Sequence, residues 1–531
     1  MKVRAWGPRQ TPHRTGEDWT FSPVPSRLPL VSVIVACYGQ LDYTKKLVAS
    51  LQAHAGCDYE LILIDNGCPD GTVGWASQQG YRFHRFMENQ GVPKAYNQGV
   101  KLAKGEIVAL WNNDMLCHPG GLNRLAEATY RRGIAAQTGG SFTLAGDYEG
   151  PTGDPAWSDY ADGYALCFRK QVWEEVGPWD EAFFPSYGDD TDWGLRARLK
   201  GYDFSFVPGA VHHFGQATSK GMKLNETVKQ HQDLLRSRYL NLGLGQRVAV
   251  LRWGAAGDLI MATPVLRALK AELPLARLHV HCEPGCGRVL AGLPYVDGRV
   301  EGAIDPRRYT RIVDLNNAYE WGQRSQTWEH PTTAYCRRAG VEFDGEPYDF
   351  AVPEDLRDWA SGSLAVESGD VLIGCGLRSG TRDKQNWNRW LEFAGALPKG
   401  YRLVALDSAV RPPLGQALSP DDQRFYEHPA VLDRTGTPTL QHAAALLERC
   451  DAFVGVDSGL LHVAAALGKP VVCVCAAAPL ESRLPLVGPA AGLNGKAKCF
   501  PCQYRDECPP THCLDPVRGK QVVEQLRELL A

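Results

Sequence analysis

The sequence predicts an α/β protein in which one parallel-sheet unit is followed by a pair of doubly wound lobes. From residue 30 onward, short apolar runs alternate with helical segments, which is typical of a parallel sheet covered by helices. At Gln246–Lys270 a strand, a glycine turn and a helix begin a second series. At 531 residues the chain has room for roughly two to four domains.

Composition and charge narrow the classes of protein that fit. The chain has 44% hydrophobic and 22% charged residues, as ordinary globular proteins do. Its net charge of −3 lacks the basic excess typical of nucleic-acid binding. No apolar run reaches the roughly 18–20 residues that cross a bilayer, and the N-terminus has no signal-peptide core. The sequence therefore predicts a cytoplasmic protein without a transmembrane segment, with peripheral contact at the inner face of the membrane as the alternative.

The first half contains three apolar runs that predict strands. They lie at Leu30–Ala36, Glu60–Ile64 and Glu106–Trp111, with helices expected at Tyr43–Ala53 and Tyr96–Ala103. Parallel strands place their carboxyl ends at one edge of a sheet, where ligands bind. Polar residues that directly follow these strands are therefore candidate site residues.

Two such polar segments are Asp65 and the triplet Asn112-Asn113-Asp114. The carboxylate of Asp65 suits a nucleotide base or ribose. Asn112 and Asp114 offer oxygens to Mg²⁺ or Mn²⁺, which takes its other ligands from phosphate and water. Each segment taken alone is also an ordinary turn.

A third polar segment, Asp189-Asp190, precedes a predicted helix. Adjacent carboxylates raise each other's pKa, so this pair is a candidate general base. The alternative is that the pair caps a helix beginning near Thr191.

In this order, these segments resemble the inverting glycosyltransferases of family 2, which have the GT-A fold. The matching stretches run from about residue 30 to residue 219 and read VSVIVACYGQ, ELILIDNGCPDGT, ENQGVPKAYNQGVKLAKGEIVALWNND, DGYALCFRKQVWEEVGPWDEAFF and YGDDTDWGLRARLKGYDFSFVPGAVHHFGQATS. The triplet is NND where DxD is usual, and the acidic pair is Asp-Asp where Glu-Asp is usual.

The resemblance implies a role for each segment. Asp65 would bind the nucleotide base, and the Asn112–Asp114 triplet would bind the metal and diphosphate. One residue of the pair Asp189-Asp190 would be the catalytic base. His213, or its neighbour His212, would join the metal or the diphosphate; a surface or core histidine is the alternative.

The predicted boundaries follow from composition and helical pattern. Lys223–Leu242 carries a helical stripe, and Gly243 and Gly245 end it. The expected units are an arm at 1–29, a first transferase unit at 30–222, a connection at 223–245 and a second unit at 246–531, with lobes at about 246–352 and 370–531.

The second unit begins with a predicted strand at Arg247–Trp253. A glycine turn follows, with Asp258 at the cap of one helix that tolerates Pro264 in its first turns. Further strands are expected at Leu278–Cys282, Arg311–Leu315, Val371–Cys375, Arg402–Leu406, Phe453–Val456 and Pro470–Val474.

The segment Asp451–Val474 contains most of the candidate ligand-binding residues of this half. Asp457, Ser458 and Gly459 lie between a strand and a helix, whose amino end suits a diphosphate without any metal. Ser458 adds a hydroxyl donor, whereas Asp457 would repel phosphate unless it caps the helix or faces a ribose. His462 is expected on the same helical face as Ser458. Lys384 is a candidate cation for the phosphates, with a solvated surface lysine as the alternative.

This half resembles the glycosyltransferases of family 9, the heptosyltransferase group, which have the GT-B fold of two Rossmann-like lobes. The matching stretches are VAVLRWGAAGDLIMATPVLRALK, GLRSGTRDKQNW and GVDSGLLHVAAALGKPVV. The resemblance implies that Asp258 is the general base, that Lys384 contacts the phosphates and that the DSGLLH loop holds the nucleotide. The first lobe is short for this family, which implies an altered acceptor side.

Four of the 16 cysteines lie close together, at Cys499, Cys502, Cys508 and Cys513. Four thiols can hold a structural zinc ion, although this spacing is not that of a standard finger. Unligated thiols in a reducing compartment are the alternative.

The sequence as a whole predicts a bifunctional glycosyltransferase. It would use nucleoside-diphosphate sugars and add sugars to a glycan or glycolipid acceptor, with Mg²⁺ or Mn²⁺ required by the first unit alone. One alternative is that one unit is a degenerate binding module. Another is a nucleic-acid acceptor, as some phage glycosyltransferases use, which the near-neutral charge favours less.

Overall fold

The computed structural model describes residues 25, 27–215, 225–320, 328–364, 369–378, 387–407, 420–476, 478–495 and 514–531. Most of the predicted N-terminal arm, Lys384 and the cysteines Cys499, Cys502, Cys508 and Cys513 lie outside these residues. Within them the chain forms the expected α/β layers. None of the helices in the described ranges is both long and apolar enough to span a bilayer.

The N-terminal unit is built on a seven-stranded sheet with the order β11-β6-β10-β4-β1-β2-β3. Its strands are β1 (Val31–Cys37), β2 (Tyr59–Asn66), β3 (Arg82–Phe86), β4 (Ile107–Asn112), β6 (Ile134–Ala136), β10 (Ala165–Arg169) and β11 (Ser205–Phe206). The sequence predicted a parallel sheet, but β10 runs antiparallel to β4 and β6, so the sheet is mixed. Because β10 is reversed, its first residues lie at the edge where β4 ends.

Two small sheets complete this unit. β5 (Met115–Cys117) pairs antiparallel with β12 (Val211–His213), and β7 (Gly139–Phe142) pairs with β8 (Tyr148–Thr152) and β9 (Tyr160–Ala161). The helices are α1 (Leu41–His54), α2 (Thr72–Gln78), α3 (Val92–Leu102), α4 (Gly121–Arg132), α5 (Lys170–Val176) and α6 (Asp189–Leu199). α3 begins four residues before the predicted start, with Pro93 in its first turn, where a missing N–H costs nothing.

The connection contains α7 (Asn225–Tyr239), which a 3₁₀ turn extends to Leu242. Gly245 follows with φ +73°, and a Cβ there would lie 2.1 Å from the carbonyl oxygen of Thr143. Glycine is therefore needed where the chain passes the N-terminal unit into the C-terminal unit.

The first lobe of the C-terminal unit has a parallel sheet with the order β15-β14-β13-β16. Its strands are β13 (Arg247–Arg252), β14 (Arg277–Cys282), β15 (Gly298–Glu301) and β16 (Arg311–Asp314). The single helix predicted after β13 is wrong: α8 (Ala256–Met261) and α9 (Thr263–Glu272) are separate. Pro264 cannot donate a helical hydrogen bond, so it lies in the first turn of a new helix. Helices α10 (Pro331–Ala339) and α11 (Glu354–Ser363) follow.

The second lobe has a six-stranded parallel sheet with the order β19-β18-β17-β20-β21-β22. The strands are β17 (Val371–Gly376), β18 (Tyr401–Leu406), β19 (Val431–Asp433), β20 (Ala452–Val456), β21 (Val471–Cys475) and β22 (Ala490–Asn494). The helices are α12 (Trp390–Ala396), α13 (Pro420–Glu427), α14 (Leu440–Glu448), α15 (Gly459–Ala466) and α16 (Gly519–Leu530). Both faces of this sheet are covered by apolar clusters, as parallel sheets require.

Candidate active sites

A cavity of about 620 Å³ opens at the carboxyl ends of β1 and β4. Six of the predicted site residues line it, namely Asn112, Asn113, Asp114, Asp189, Asp190 and His213. They come from segments up to a hundred residues apart in the sequence, and the sheet edge brings them together.

Asp114 and His213 form a side-chain pair in this cavity. The Nε2 atom of His213 lies 3.2 Å from Oδ1 of Asp114. β12 pairs with β5, so His213 lies opposite Met115, and its ring stacks on Tyr164 at a centroid distance of 4.5 Å. His212 is exposed on the other face of the same strand. Of the two predicted histidines, His213 is therefore the one beside Asp114.

The two asparagines of the triplet have different partners. Oδ1 of Asn112 accepts a hydrogen bond of 3.0 Å from the hydroxyl of Tyr96. Nδ2 of Asn113 donates to the carbonyl of Gly39 at 3.1 Å and to Thr44 at 3.2 Å. Asn113 therefore holds the loop after β1 in place. Asn112 is the better candidate of the two for binding a ligand.

The pair Asp189-Asp190 lies in the first turn of α6, whose N-cap is Gly188 and not an aspartate. Asp190 accepts hydrogen bonds from the backbone N–H of Gly163 at 2.9 Å and of Thr191 at 2.8 Å. Burial, and then the charge of Asp190, raises the pKa of Asp189 well above its usual range. Burial also raises the pKa of Asp190. Such carboxyls accept protons more readily than exposed ones.

Asp162 is a fourth carboxylate in the cavity, which the sequence reasoning did not single out. Its Oδ2 accepts a hydrogen bond of 2.7 Å from Thr138, and burial together with the charge of Asp190 raises its pKa to about 6. Asp162 stands just before β10. Asp162 begins one of the stretches that match family 2, but its place at the ligand edge depends on the reversal of β10, which was not predicted.

Asp65 lies apart from these residues. It is buried, accepts a 2.8 Å hydrogen bond from the N–H of Cys68 and forms an ion pair of 3.3 Å with Arg85. Its neighbour Asn66 lines the cavity, whereas Asp65 is outside the set of described residues that do so.

The connecting helix α7 supplies one wall of the cavity through Val228, His231, Gln232 and Leu235. Nδ1 of His231 lies 2.8 Å from the carbonyl oxygen of Tyr187, which precedes the acidic pair by two residues. Asp192 in α6 accepts hydrogen bonds from Tyr239 at 2.6 Å and Arg238 at 2.7 Å. α7 was predicted as a helix that packs on the first unit and connects it to the second, but its contribution to the cavity wall was not predicted.

A second cluster surrounds Asp258 in the C-terminal unit. Asp258 is not the N-cap that the sequence predicted. It lies at the third position of α8, and its Oδ2 accepts the N–H of Ala255 at 3.0 Å. Oδ1 is held by Arg252 at 2.9 Å, by the hydroxyl of Tyr319 at 2.9 Å and by that of Tyr335 at 3.3 Å. These donors fix the orientation of the carboxylate.

The loop Asp457-Ser458-Gly459 faces this cluster from the second lobe. Ser458 is the N-cap of α15, and within the described residues its Oγ has no hydrogen-bond partner. Oδ2 of Asp457 lies 3.3 Å from Nε of Arg483, which compensates its charge. His462 is buried, and burial lowers its pKa. The predicted repulsion between Asp457 and a phosphate is therefore offset by Arg483, a residue that the sequence reasoning missed.

Metal ligands are sparse in the part of the chain that the structure describes. There, no group of three or more His, Cys, Asp or Glu side chains could by itself hold a metal ion. Asp114 and His213 provide two donors, which fits a cation that takes its other ligands from a diphosphate and water.

Three family models match the chain. Residues 32–148 match Glycosyl transferase family 2, residues 108–256 match Glycosyl transferase family group 2, and residues 430–509 match Glycosyltransferase family 9 (heptosyltransferase). These matches confirm both resemblances seen in the sequence.

Individual proteins are similar to one or the other part of the chain. Glycosyltransferase AglE of Haloferax volcanii is 26% identical over 236 residues, which is 38% of this chain and 73% of that protein. The structure of E. coli ADP-heptose lps heptosyltransferase II has 21% identity and a TM-score of 0.41, covering 54% of this chain and 98% of that one. Mannosyltransferase PcManGT from Pyrobaculum calidifontis, in complex with GDP-Man and Mn²⁺, has 20% identity and a TM-score of 0.29, covering 36% and 58%.

The first cavity thus lies in the region that matches family 2, and the Asp457–Gly459 loop lies in the region that matches family 9. The chain is a glycosyltransferase that combines a family 2 region, at its N-terminal end, with a family 9 region in its C-terminal half.

Proposed function

We propose that the protein transfers two sugars, one at each carboxylate cluster, from nucleoside-diphosphate sugars to a glycan acceptor. The observation that carries this proposal is the convergence of Asp114, His213 and the pair Asp189-Asp190 on one cavity. The similarity to Glycosyltransferase AglE supports sugar transfer as the activity.

In the first site, the acidic pair acts as general base. A carboxylate of Asp189 or Asp190 takes the proton of an acceptor hydroxyl, and the oxygen attacks the anomeric carbon from the side opposite the diphosphate. The bond between the anomeric carbon and the diphosphate oxygen breaks, and a nucleoside diphosphate leaves. The configuration at the anomeric carbon is thereby inverted. Asp114 and His213 would hold Mg²⁺ or Mn²⁺, which supplies positive charge to the leaving diphosphate. Asn112 lies beside them and would bind the same diphosphate. Asp65 holds the turn after β2, near the nucleotide base.

In the second site, Asp258 takes the proton and no metal is needed. The amino end of α15 and the Ser458 hydroxyl bind the leaving diphosphate, with Gly459 opening the helix. His462 packs beneath this loop, and Asp457 positions Arg483. Lys384 remains a candidate phosphate ligand from the resemblance alone.

A second candidate function is that the C-terminal unit binds a glycan without reacting. The contacts of Asp258 with an arginine and two tyrosines favour it, because they occupy the oxygen that would otherwise accept a proton from an acceptor hydroxyl.

The test is nucleoside-diphosphate release from a panel of donor sugars, with and without Mn²⁺, in Asp114→Ala and Asp258→Asn variants of the full chain. We expect Asp114→Ala and chelator to remove one activity and Asp258→Asn to remove the other. Loss of both activities in either variant would contradict two independent sites. A metal-dependent activity alone, unaffected by Asp258→Asn, would support the binding-module alternative.

A further inference from the structure

The helix that carries the acidic pair reaches from the first cavity to the C-terminal unit. Asp189 and Asp190 open α6, and Arg198 lies in its last turn. The Nη2 atom of Arg198 donates a hydrogen bond of 2.8 Å to the carbonyl oxygen of Leu275, which lies between α9 and β14. The C-terminal unit thus contacts the far end of the helix that bears the proposed base.

The side chain of Leu275 packs in an apolar cluster that also contains residues of the first cavity wall. Leu275 is 0% exposed and belongs to the same apolar cluster as Leu195 of α6 and Phe142, Tyr160 and Leu235. The last three of these residues also line the first cavity. A residue of the C-terminal unit therefore belongs to the apolar cluster that forms part of the wall of the first cavity.

A buried ionic network surrounds this apolar contact. Arg277 is 1% exposed, lies 3.0 Å from Asp297 and 3.4 Å from Asp203, and donates to the carbonyl oxygen of Ser158. Lys270 binds Asp297 at 2.6 Å. Burial would raise the pKa of Asp297, but Lys270 and Arg277 overcome this effect and hold it well below its usual range.

The charges in the network balance, since Arg198, Lys270 and Arg277 face Asp159, Asp203 and Asp297. A balanced network of this kind fixes one docking geometry, because removing any partner leaves a buried charge without compensation. The contact between the units is therefore specific and not a loose tether.

We propose that the C-terminal unit completes the first active site, with Leu275 as a positioning residue for the acidic pair and the cavity wall. The inference rests on the proposed first transfer, but it does not depend on sugar transfer by the second site. If Leu275 were removed, the apolar cluster would lose a packing partner of Phe142, Tyr160 and Leu235. Helix α6 could then shift along its axis. Small displacements of a base from the attacking hydroxyl reduce turnover strongly.

The test uses the full chain with Leu275→Ala, its conservative counterpart Leu275→Met, and Leu290→Ala as a matched control. Leu290 is also a buried leucine of the first lobe, 1% exposed, but it belongs to the apolar core of the C-terminal unit and not to the cluster at the first cavity. First-site kcat and acceptor KM are measured well below each variant's unfolding midpoint, which is recorded separately.

We expect Leu275→Ala to lower first-site kcat/KM at least tenfold and Leu275→Met to restore most of it. Leu290→Ala should lower the unfolding midpoint by a similar amount while its folded fraction keeps normal kinetics. Equal first-site kcat/KM in Leu275→Ala and Leu290→Ala would overturn the inference and leave the proposed function standing. Absence of first-site transfer in the unaltered chain would overturn the proposed function, and this inference with it.

Discussion

Gly257 of α8 packs directly against His462 of α15, so that a Cβ at position 257 would lie 3.0 Å from Cδ2 of His462 and 3.5 Å from Cα of Gly459. The amino ends of two helices, one from each lobe, therefore meet at Gly257, where a side chain would press on the His462 ring. Asp258 follows immediately on one side of this contact, and Ser458 precedes it on the other. The contact sets the distance between the proposed second base and its diphosphate site.

Gly257→Ala should separate these two helix ends by a few tenths of an ångström. We expect second-site kcat/KM to fall about tenfold, since each 1.4 kcal/mol of lost transition-state stabilisation lowers the rate by that factor. Gly362→Ala is the matched control, because Gly362 is also helical and a Cβ there would meet no atom within 4 Å. A loss of second-site activity of equal size in both variants would contradict the importance of the contact.

His213→Ala should weaken metal binding in the first site. His213 is proposed to hold the metal beside Asp114, so its loss should lower metal affinity at least as much as loss of an outer-shell partner, which costs about 10–100-fold. The measurement is the Mn²⁺ concentration that gives half-maximal first-site transfer. His212→Ala, on the exposed face of the same strand, should leave that concentration unchanged.

First-site activity should rise with pH along a limb that lies above the ordinary carboxyl range. A base acts in its unprotonated form, and burial raises the pKa values of Asp189 and Asp190. Asp162→Asn should move the limb to lower pH, because it removes a negative charge that interacts with Asp190. Asp421→Asn, an exposed change far from the site, should not move it.

The same carboxyls should affect stability with a definite sign. The pKa of Asp162 is about 6 in the folded protein and ordinarily 3.8, so the folded state binds this proton more tightly than the unfolded chain does. The free energy of unfolding should therefore fall as pH rises from about 4 to about 6. Urea denaturation across this range should show a smaller fall in Asp162→Asn, and an unchanged slope would contradict the shift.

Arg252→Met should destabilise the first lobe. The guanidinium of Arg252 is buried and holds Asp258 at 2.9 Å and Glu320 at 2.8 Å. Removing one partner of a buried ion pair costs about 3–5 kcal/mol. Arg337→Met breaks the exposed pair with Glu329 and should cost about 0–1 kcal/mol, so urea denaturation of the two variants should differ clearly.

The strand ends of the first unit could be predicted because each apolar run stops at a polar residue. β4 ends at Asn112, Asp114 follows two residues later as the pattern predicted, and β1 and β4 lie side by side in register. Short, half-exposed strands such as Gly298–Glu301 and Val431–Asp433 contain no apolar run long enough to be recognised and were missed.

The site residues that were not predicted from the sequence were overlooked for a different reason. Asp162, His231 and Arg483 reach their sites through a reversed strand, a connecting helix and a loop after β21. None of these placements follows from local periodicity, because each depends on which elements pack together. Resemblance to known families supplied Asp189-Asp190 and Asp258, but not the groups that hold them.

The shared network around Arg277 also constrains how the two halves could be inherited. A recombination event that joined a different partner after Gly245 would remove the guanidinium that meets Asp203 and the Ser158 carbonyl. The new partner would have to supply a cation in place of Arg277 and a buried leucine in place of Leu275. Descendants of this chain should therefore keep both halves as one heritable unit, with changes at position 203 accompanied by changes at position 277.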